Sequence, residues 1–285
     1  LRLANPLSNQ EPEMATTLLP GLLKTAARNL SRGSEDLALF ELSPVTLAAN
    51  QSAAPILPVD RRPSDAELAQ LLNAVPEQPL HVALVMSGRQ DRQGWWGTGR
   101  AAEWSDAIQA ARRIGAVLGL ELTATSAELA PWHPGRCAEL RIGDVVVGHA
   151  GELHPQVCRH FGVAPRTVAA ELDAVVLEQA AVLVPQAVEF SSYPVAKEDV
   201  AVVVADAVTA QEVAAALGEG AGELCESIRL FDVYVGEQID PGHKSLAFSL
   251  RFRAPDRTLT DAECAAARDA AVALAGQRLG AIQRV

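Results

Sequence analysis

The spacing of apolar residues in the first third of the chain predicts helices that alternate with strands. Between residues 18 and 30, leucine and alanine recur every three to four positions, which is the spacing of one buried helix face. Thr16 or Thr17 can cap this helix, and Gly33 lies where its end is expected. Further predicted elements are strands at residues 1–6, 37–45 and 80–86, a short helix opened by the capping box of Ser64 and Glu67, and an amphipathic helix at residues 104–118. The apolar side of this last helix is expected to carry Trp104, Ile108, Ala111 and Gly115.

The next part of the chain has the alternation and the turn residues of an antiparallel sheet. Gly143 and Asp144 separate two apolar runs, which predicts a tight hairpin. The expected elements are strands at residues 120–125, 137–142, 145–150 and 168–172, and a short helix at residues 154–161. Together they predict an α+β first domain with a largely antiparallel sheet.

The last hundred residues follow the order βαββαβ, after a linker expected around residues 184–194. The two helices are predicted to open at the capping boxes of Thr209 and Thr260 and to end near residues 217 and 275. The strands are predicted at residues 200–205, 227–235, 244–253 and 281–284. This order is that of a ferredoxin-like fold.

Composition narrows the class of protein. Hydrophobic residues make up 49% and charged residues 21% of the 285 residues, which indicates buried cores and neither a disordered nor a membrane-spanning chain. The four cysteines have no paired spacing, so free cytosolic thiols are expected. The chain begins at Leu1 without a signal-like pattern, and we expect a fragment of a longer chain. The net charge of −11 does not by itself favour nucleic acid, because basic surface supplies most of that affinity.

Strict alternation in residues 244–253 predicts a strand with one apolar and one polar face. The apolar set is Leu246, Phe248, Leu250 and Phe252, with Phe231, Val233 and Val235 of the neighbouring strand. Because both helices of a ferredoxin-like fold cover one side of the sheet, this set is expected to face them. The uncovered face then presents Tyr234, Asp232, Ser245, Ser249, Arg251 and Arg253. Such a face suits single-stranded RNA, and an ordinary solvated sheet face has the same residue types.

The net negative charge of the last hundred residues does not favour RNA binding. Residues 186–285 contain nine lysines and arginines against fifteen aspartates and glutamates. Binding of RNA therefore requires the acidic residues to lie on the helix side of the sheet, and much of the affinity to come from elsewhere in an assembly.

Three other clusters favour structural roles. The histidines and cysteines at positions 133, 137, 149, 154, 158 and 160 lack the spacing of a zinc site, and their His-Pro steps indicate turns, so no metal is expected. The segment 218–222 resembles a phosphate loop but follows a helix and carries Glu219, so it is interpreted as a flexible connector. The segment 94–100, with Trp95 and Trp96, is interpreted as an exposed loop.

Several segments, taken in order, resemble the β chain of bacterial phenylalanyl-tRNA synthetase. The first domain carries Asn5-Pro-Leu-Ser8, Leu18-Leu-Pro-Gly-Leu-Leu23, Phe40-Glu-Leu42, His133-Pro-Gly-Arg-Cys-Ala138 and Gly151-Glu-Leu-His-Pro155. The second carries Phe231-Asp-Val-Tyr234, Lys244-Ser-Leu-Ala-Phe248 and Arg257-Thr-Leu-Thr-Asp261. Each motif alone is weak, but their order and spacing are specific, and only residues 48–78 stand outside the resemblance.

The resemblance implies a class II synthetase-like antiparallel domain at residues 1–185 and a ferredoxin-fold anticodon-binding domain at residues 190–285. It further implies a cytoplasmic (αβ)₂ enzyme that joins phenylalanine to tRNA(Phe) with ATP and Mg²⁺, its active site lying on the α subunit. Residues 1–185 are expected to be catalytically silent, because residues 37–45 contain no arginine to hold ATP phosphates. No catalytic residue, metal or cofactor is expected in this segment.

The resemblance also places anticodon contacts at Tyr234, Ser245 and Arg284. Lys244, Arg251 and Arg253 are candidates for phosphate contacts. The alternative is a protein-interaction module that uses the same ferredoxin-like sheet and has no role in RNA binding.

Overall fold

The computed structural model describes residues 1–47, 54–182, 184 and 191–284. The chain folds into two compact units, unit 1 at Leu1–Pro185 and unit 2 at Gln186–Val285. Most of the linker predicted at residues 184–194 falls on residues 185–190, outside the described residues.

Unit 1 is built on a six-stranded, wholly antiparallel sheet with the strand order β1-β2-β8-β7-β6-β5. Its helices are α1 (Leu19–Leu30), α2 (Asp65–Asn73), α3 (Trp104–Val117), α4 (Pro155–Phe161) and α5 (Ala174–Ala180). Its strands are β1 (Leu37–Pro44), β2 (Leu80–Ser87), β3 (Arg89–Asp91), β4 (Arg100–Ala101), β5 (Thr123–Ala127), β6 (Trp132–Ile142), β7 (Val145–Leu153) and β8 (Val168–Asp173). The predicted α+β class and antiparallel sheet are confirmed.

Each face of this sheet has its own core. The core on the α1 side includes Leu19, Leu23 and Val85, and the core on the α3 side includes Ala111 and Leu140. Alternation along the strands sends successive side chains into opposite cores, so the central strand β8 is buried on both sides.

Several local predictions for unit 1 were wrong. Instead of the predicted strand, residues 1–6 form an isolated bridge between Arg2 and Glu13, and the described part of unit 1 does not extend it into a ladder. On α3 the buried positions are Ala107, Ala111 and Gly115, whereas Trp104 remains substantially exposed. Helix α5 follows β8 directly, with Asp173 as its N-cap, and was not predicted.

The start of α1 is capped from a distant strand. Its N-cap residue, Leu18, makes no side-chain cap. Instead Glu171 of β8, only 8% exposed, accepts hydrogen bonds from the Leu18 amide at 3.2 Å and from the Thr17 hydroxyl, and the Nδ1 atom of His81 lies 2.8 Å from the same carboxylate. The predicted threonine cap is thus partial: Thr17 Oγ1 accepts from the Leu19 amide at 3.3 Å, and a buried carboxylate supplies the rest.

Unit 2 has the predicted order βαββαβ. Its elements are β9 (Ala196–Ala205), α6 (Ala210–Ala221), β10 (Cys225–Tyr234), β11 (His243–Phe252), α7 (Asp261–Leu279) and β12 (Ile282–Arg284). All its strand pairs are antiparallel, in the order β10-β11-β9-β12. Both helices begin at the predicted capping boxes, of Thr209 with Glu212 and of Thr260 with Glu263, each with both reciprocal hydrogen bonds.

The segment 218–222 is not the predicted flexible connector. Helix α6 continues through Ala221, and a single 3₁₀ turn follows at Gly222–Leu224. A side chain at Gly220 would place its Cβ 2.7 Å from the Cα of Ala271 on α7. Glycine there lets the two helix backbones approach closely, so its cost in helix propensity is offset by packing.

Candidate nucleic-acid interface

Helices α6 and α7 pack against one face of the unit 2 sheet. Leu246, Phe248, Leu250 and Phe252 of β11 lie in the core with Val213 of α6 and Ala271 of α7. The alternation predicted for β11 is therefore confirmed. The opposite side of the sheet, here called the open face, carries the alternate side chains of β11, which include Ser245, Ala247, Ser249 and Arg251.

The prediction for the neighbouring strand β10 was only partly right. Its register shifts between Leu230 and Asp232, so Phe231 is the extra residue of a β-bulge. Val233 pairs with Leu246 and is directed to the helix side, yet Phe231, Val233 and Val235 all remain exposed. The reason is the position of β10, which is an edge strand with a neighbouring strand on one side only.

Tyr234 lies on the open face, as predicted. It pairs with Ser245 of β11, and paired residues in an antiparallel ladder share a face. The guanidinium carbon of Arg284 lies 5.5 Å from the centre of its ring, and Arg284 Nη2 donates to Gln238 Oε1 at 2.7 Å. The structure therefore brings together two residues that lie fifty positions apart in the sequence.

Ser245 differs from the expectation of a displayed hydroxyl. It lies on the open face but is only 4% exposed. Its cross-strand neighbours are Tyr234 on β10 and Val203 on β9, both with larger side chains. The Ser245 hydroxyl therefore lies beneath the neighbouring side chains of the open face. The edge of a base reaches it only if one of those side chains moves.

Arg251 and Arg253 are held together by one acid. Glu226 Oε2 lies 3.5 Å from Arg251 Nε, and its Oε1 lies 3.3 Å from Arg253 Nε. Arg253 also donates to the carbonyl of Ser191 at 2.8 Å, and its side chain is mostly buried. Arg251 is the more accessible of the two candidates for a phosphate contact.

Lys244 is not on the open face. It pairs with Val204, whose side chain lies in the helix-side core, so Lys244 is directed to the helix side. Its Nζ donates to the carbonyl of Asp206 at 2.8 Å, and its charge helps to lower the pKa of Glu212, after the larger effect of the hydrogen bonds from Thr209. The structure separates this predicted phosphate contact from Tyr234.

Not all acidic residues of unit 2 lie on the helix side, the arrangement that RNA binding was expected to require. Cross-strand pairing places Asp232 and Asp199 on the open face, and Glu226 contacts the arginines there. Two basic residues on this face were missed, Lys197 opposite Arg251 and Arg229 opposite Ser249. Alternation along β9 and β10 was the signal that would have found them, but the pairing partners follow only from the fold.

Residues of unit 1 singled out in the sequence have structural positions. His154 caps α4, and its ring stacks near that of His133 at 6.3 Å. Residues 94–99 lie in the loop between β3 and β4, Arg100 begins β4, and Trp95 and Trp96 are exposed. In the described part of the chain, no three His, Cys, Asp or Glu side chains group as metal ligands. Among those same residues, no helix combines the length and apolar character needed to cross a membrane.

Comparison with known families gives two matches. The model described as "Phenylalanyl tRNA synthetase beta chain CLM domain" matches residues 1–174, and that described as "Ferredoxin-fold anticodon binding domain" matches residues 191–284. The second match agrees with the βαββαβ order and antiparallel sheet of unit 2.

Individual relatives cover the whole chain. The phenylalanine–tRNA ligase β subunits of Streptomyces avermitilis and Thermobifida fusca are 54% and 53% identical to it over 100% of its length. The chain covers 35% of each, so it spans about a third of the length of these relatives. A pyrrolysyl-tRNA synthetase structure from Desulfitobacterium hafniense covers 57% of the chain, and the chain 48% of it, with a TM-score of 0.37 and 13% identity, which is too remote a likeness to support a conclusion.

Proposed function

The chain belongs to the phenylalanine–tRNA ligase β-subunit family, and from that premise we propose that unit 2 binds the anticodon region of tRNA(Phe) while unit 1 supports a catalytic α subunit. The observation that carries the RNA part is the open face itself. Both helices of unit 2 lie on one side of its sheet, and the other side holds an aromatic ring beside a guanidinium group. Unpaired bases stack on such groups, and stacking tolerates any base because every base has a π-face.

The charge of the open face supports this proposal better than the charge of unit 2 as a whole. Lys197, Arg229, Arg251 and Arg284 lie on it, against Asp199, Asp232 and Glu226. A basic excess at the face, within an acidic domain, gives weak phosphate attraction at the site. The remaining affinity comes from other parts of the assembled enzyme.

Unit 1 is proposed to act as a scaffold without catalysis. Strand β1 contains no arginine, the residue that would neutralise ATP phosphates. On the same edge strand, Phe40 is 79% exposed and Leu42 is 57% exposed, and both lie on one face. Exposed apolar side chains on an edge strand suit a protein partner, and we assign that partner as the α subunit.

The full enzyme, in this proposal, is a cytoplasmic (αβ)₂ assembly that uses ATP and Mg²⁺ to attach phenylalanine to tRNA(Phe). The ATP and the metal ion bind outside this chain. The competing function is a protein-binding module, and it is supported by the exposed Phe231 and Val233 of β10 and by Val235, which follows that strand.

A direct binding experiment separates the two functions. The 285-residue chain is titrated with a stem-loop RNA that has the anticodon arm of tRNA(Phe), and in parallel with the same stem bearing a different loop. Tighter binding of the first RNA, weakening steeply with salt, supports the proposal. Equal or absent binding of both RNAs, together with recovery of the α subunit on the immobilised chain, would favour the protein-binding module.

Replacing Glu226 by glutamine is expected to strengthen RNA binding several-fold. The change releases Arg251 and Arg253 from a shared carboxylate and removes a negative charge from the face. The slope of log K against log salt should steepen by about 0.7 for each arginine that gains a phosphate contact. Glu223→Gln, an exposed acid in the nearby 3₁₀ turn, is the charge-matched control. The same gain in both variants would show a general effect of net charge and not a role for these arginines.

A further inference from the structure

Tyr234 and Arg284 come from opposite edges of the unit 2 sheet. Tyr234 ends β10 and Arg284 ends β12, with β11 and β9 between them. Three strand spacings separate the two backbones by about 14 Å. Arg284 therefore reaches across the open face to bring its guanidinium carbon within 5.5 Å of the ring centre, while the Tyr234 hydroxyl lies toward Gly236 in the turn after β10.

Small residues form the floor under this contact. Beside Arg284 lies Ala201, whose partner on β11 is Ala247, and beside Tyr234 lies Ser245, whose partner on β9 is Val203. Both helices of unit 2 lie on the other side of the sheet, yet none of these four floor residues is exposed, and Ser245 is buried. Two long side chains above a floor of short ones account for that burial.

The turn after β10 holds the contact in place. Gln238 accepts a hydrogen bond from Arg284 at 2.7 Å, which directs the guanidinium to the β10 side of the sheet. Gly236 adjoins the Tyr234 hydroxyl, and a Cβ there would lie 2.5 Å from the hydroxyl oxygen. The turn after β10 therefore restricts both the Tyr234 ring, through the contact with Gly236, and the Arg284 guanidinium, through the hydrogen bond to Gln238.

We infer that Gln238 is a positioning residue that holds Arg284 on the Tyr234 ring as a latch over the floor, and that an unpaired base enters by displacing the guanidinium. The closed contact stands on the geometry alone, and the entry of a base rests on the proposed RNA-binding function. Once the latch opens, the ring is free to stack and the Ser245 hydroxyl becomes accessible to a base edge.

Magnitudes favour a latch that RNA can open. An exposed cation–π contact shifts an equilibrium by about two- to fivefold. A base stacked on an aromatic ring shifts it by about five- to 150-fold. The base therefore replaces the guanidinium with a net gain, while the free chain stays mostly closed.

The closed state is tested without RNA, by the rate at which N-acetylimidazole acetylates Tyr234 in the whole chain, followed by mass spectrometry. Gln238→Leu keeps a side chain of similar size without the acceptor and is expected to speed acetylation by about threefold. Gln238→Glu restores an acceptor and should return the rate to that of the unmodified chain or below it. Tyr193 is the other tyrosine of the chain and serves as the internal reference.

Gln283→Leu is the matched control, since Gln283 precedes Arg284 on β12 and pairs with a core valine on the other side of the sheet. Its acetylation rate at Tyr234 should not change. Equal rates in Gln238→Leu and the unmodified chain would overturn the latch.

The base-entry step is tested by stopped-flow association with the tRNA(Phe) anticodon stem-loop. Gln238→Leu should associate faster than the unmodified chain, because less of it is closed. Faster acetylation with unchanged association would overturn base entry and leave the closed contact. If no variant binds the stem-loop, the proposed RNA function fails, and the acetylation rates alone still decide whether the latch exists.

Discussion

Replacing Tyr234 by alanine is expected to weaken binding of the tRNA(Phe) anticodon stem-loop by about 1–3 kcal/mol, the value of one stacked base. The ring lies on the open face, and Arg284 packs on it. The variant loses the stacking surface and the contact that orients Arg284, so the upper half of this range applies if both act on RNA. The measurement is the dissociation constant of the 285-residue chain at fixed salt.

Two variants define the cause of that loss. Tyr234→Phe keeps the ring and is expected to retain most of the affinity, since the stacking surface is unchanged. Tyr193→Ala removes the other tyrosine of unit 2, outside its sheet, and should bind normally. Affinity that survives Tyr234→Ala, or falls equally in Tyr193→Ala, would contradict the assignment of the open face as the RNA surface.

Replacing Glu171 by alanine is expected to lower the free energy of unfolding of unit 1 by about 3 kcal/mol. The buried carboxylate accepts from Thr17 and from the Leu18 amide, and it contacts His81. Its removal leaves the first turn of α1 with only the partial cap from Thr17, and it takes the carboxylate partner from the partly buried imidazole of His81. The large effect follows from polar groups left without partners, more than from the side-chain volume removed.

Tryptophan fluorescence during urea unfolding measures this change selectively. All four tryptophans, at positions 95, 96, 104 and 132, belong to unit 1, so the signal does not report unit 2. Glu171→Gln keeps one acceptor oxygen and should cost about 1 kcal/mol. Glu178→Ala on α5, at an exposed position, is the surface control and should change little. A loss below about 1 kcal/mol for Glu171→Ala would mean that α1 does not depend on this cap.

Much of the fold followed from local patterns. The capping boxes at Ser64, Thr209 and Thr260 placed three helix starts correctly, because each box satisfies backbone donors within four residues of chain. Alternation in residues 244–253 assigned the buried and open sides of β11 correctly, because side chains on a strand have a period of two.

Predictions from local sequence patterns failed where the conformation of one helix or strand depends on its packing against another. The glycines at 218–222 indicated a loop, but Gly220 lies within helix α6. Glycine is required there because α7 packs so close that a Cβ at this position would meet the α7 backbone. The bulge at Phe231 changed which residues of β10 share a face, and the edge position of β10 left its apolar residues exposed. Lys244 lies next to Ser245 in the sequence and on the other side of the sheet in space.

The sequence by itself determined the antiparallel sheet of unit 1, the βαββαβ order of unit 2 and the presence of a tyrosine and a serine on one face of the unit 2 sheet. Tertiary structure alone decided that Arg284 crosses the sheet to Tyr234, that Ser245 lies beneath them, and that Glu171 caps a helix more than 150 residues away. The physical reason is the separation along the chain over which each kind of interaction acts. Backbone hydrogen bonding and side-chain periodicity act within a few residues, whereas pairing of strands sets which distant side chains meet, and it depends on the packing of the whole unit.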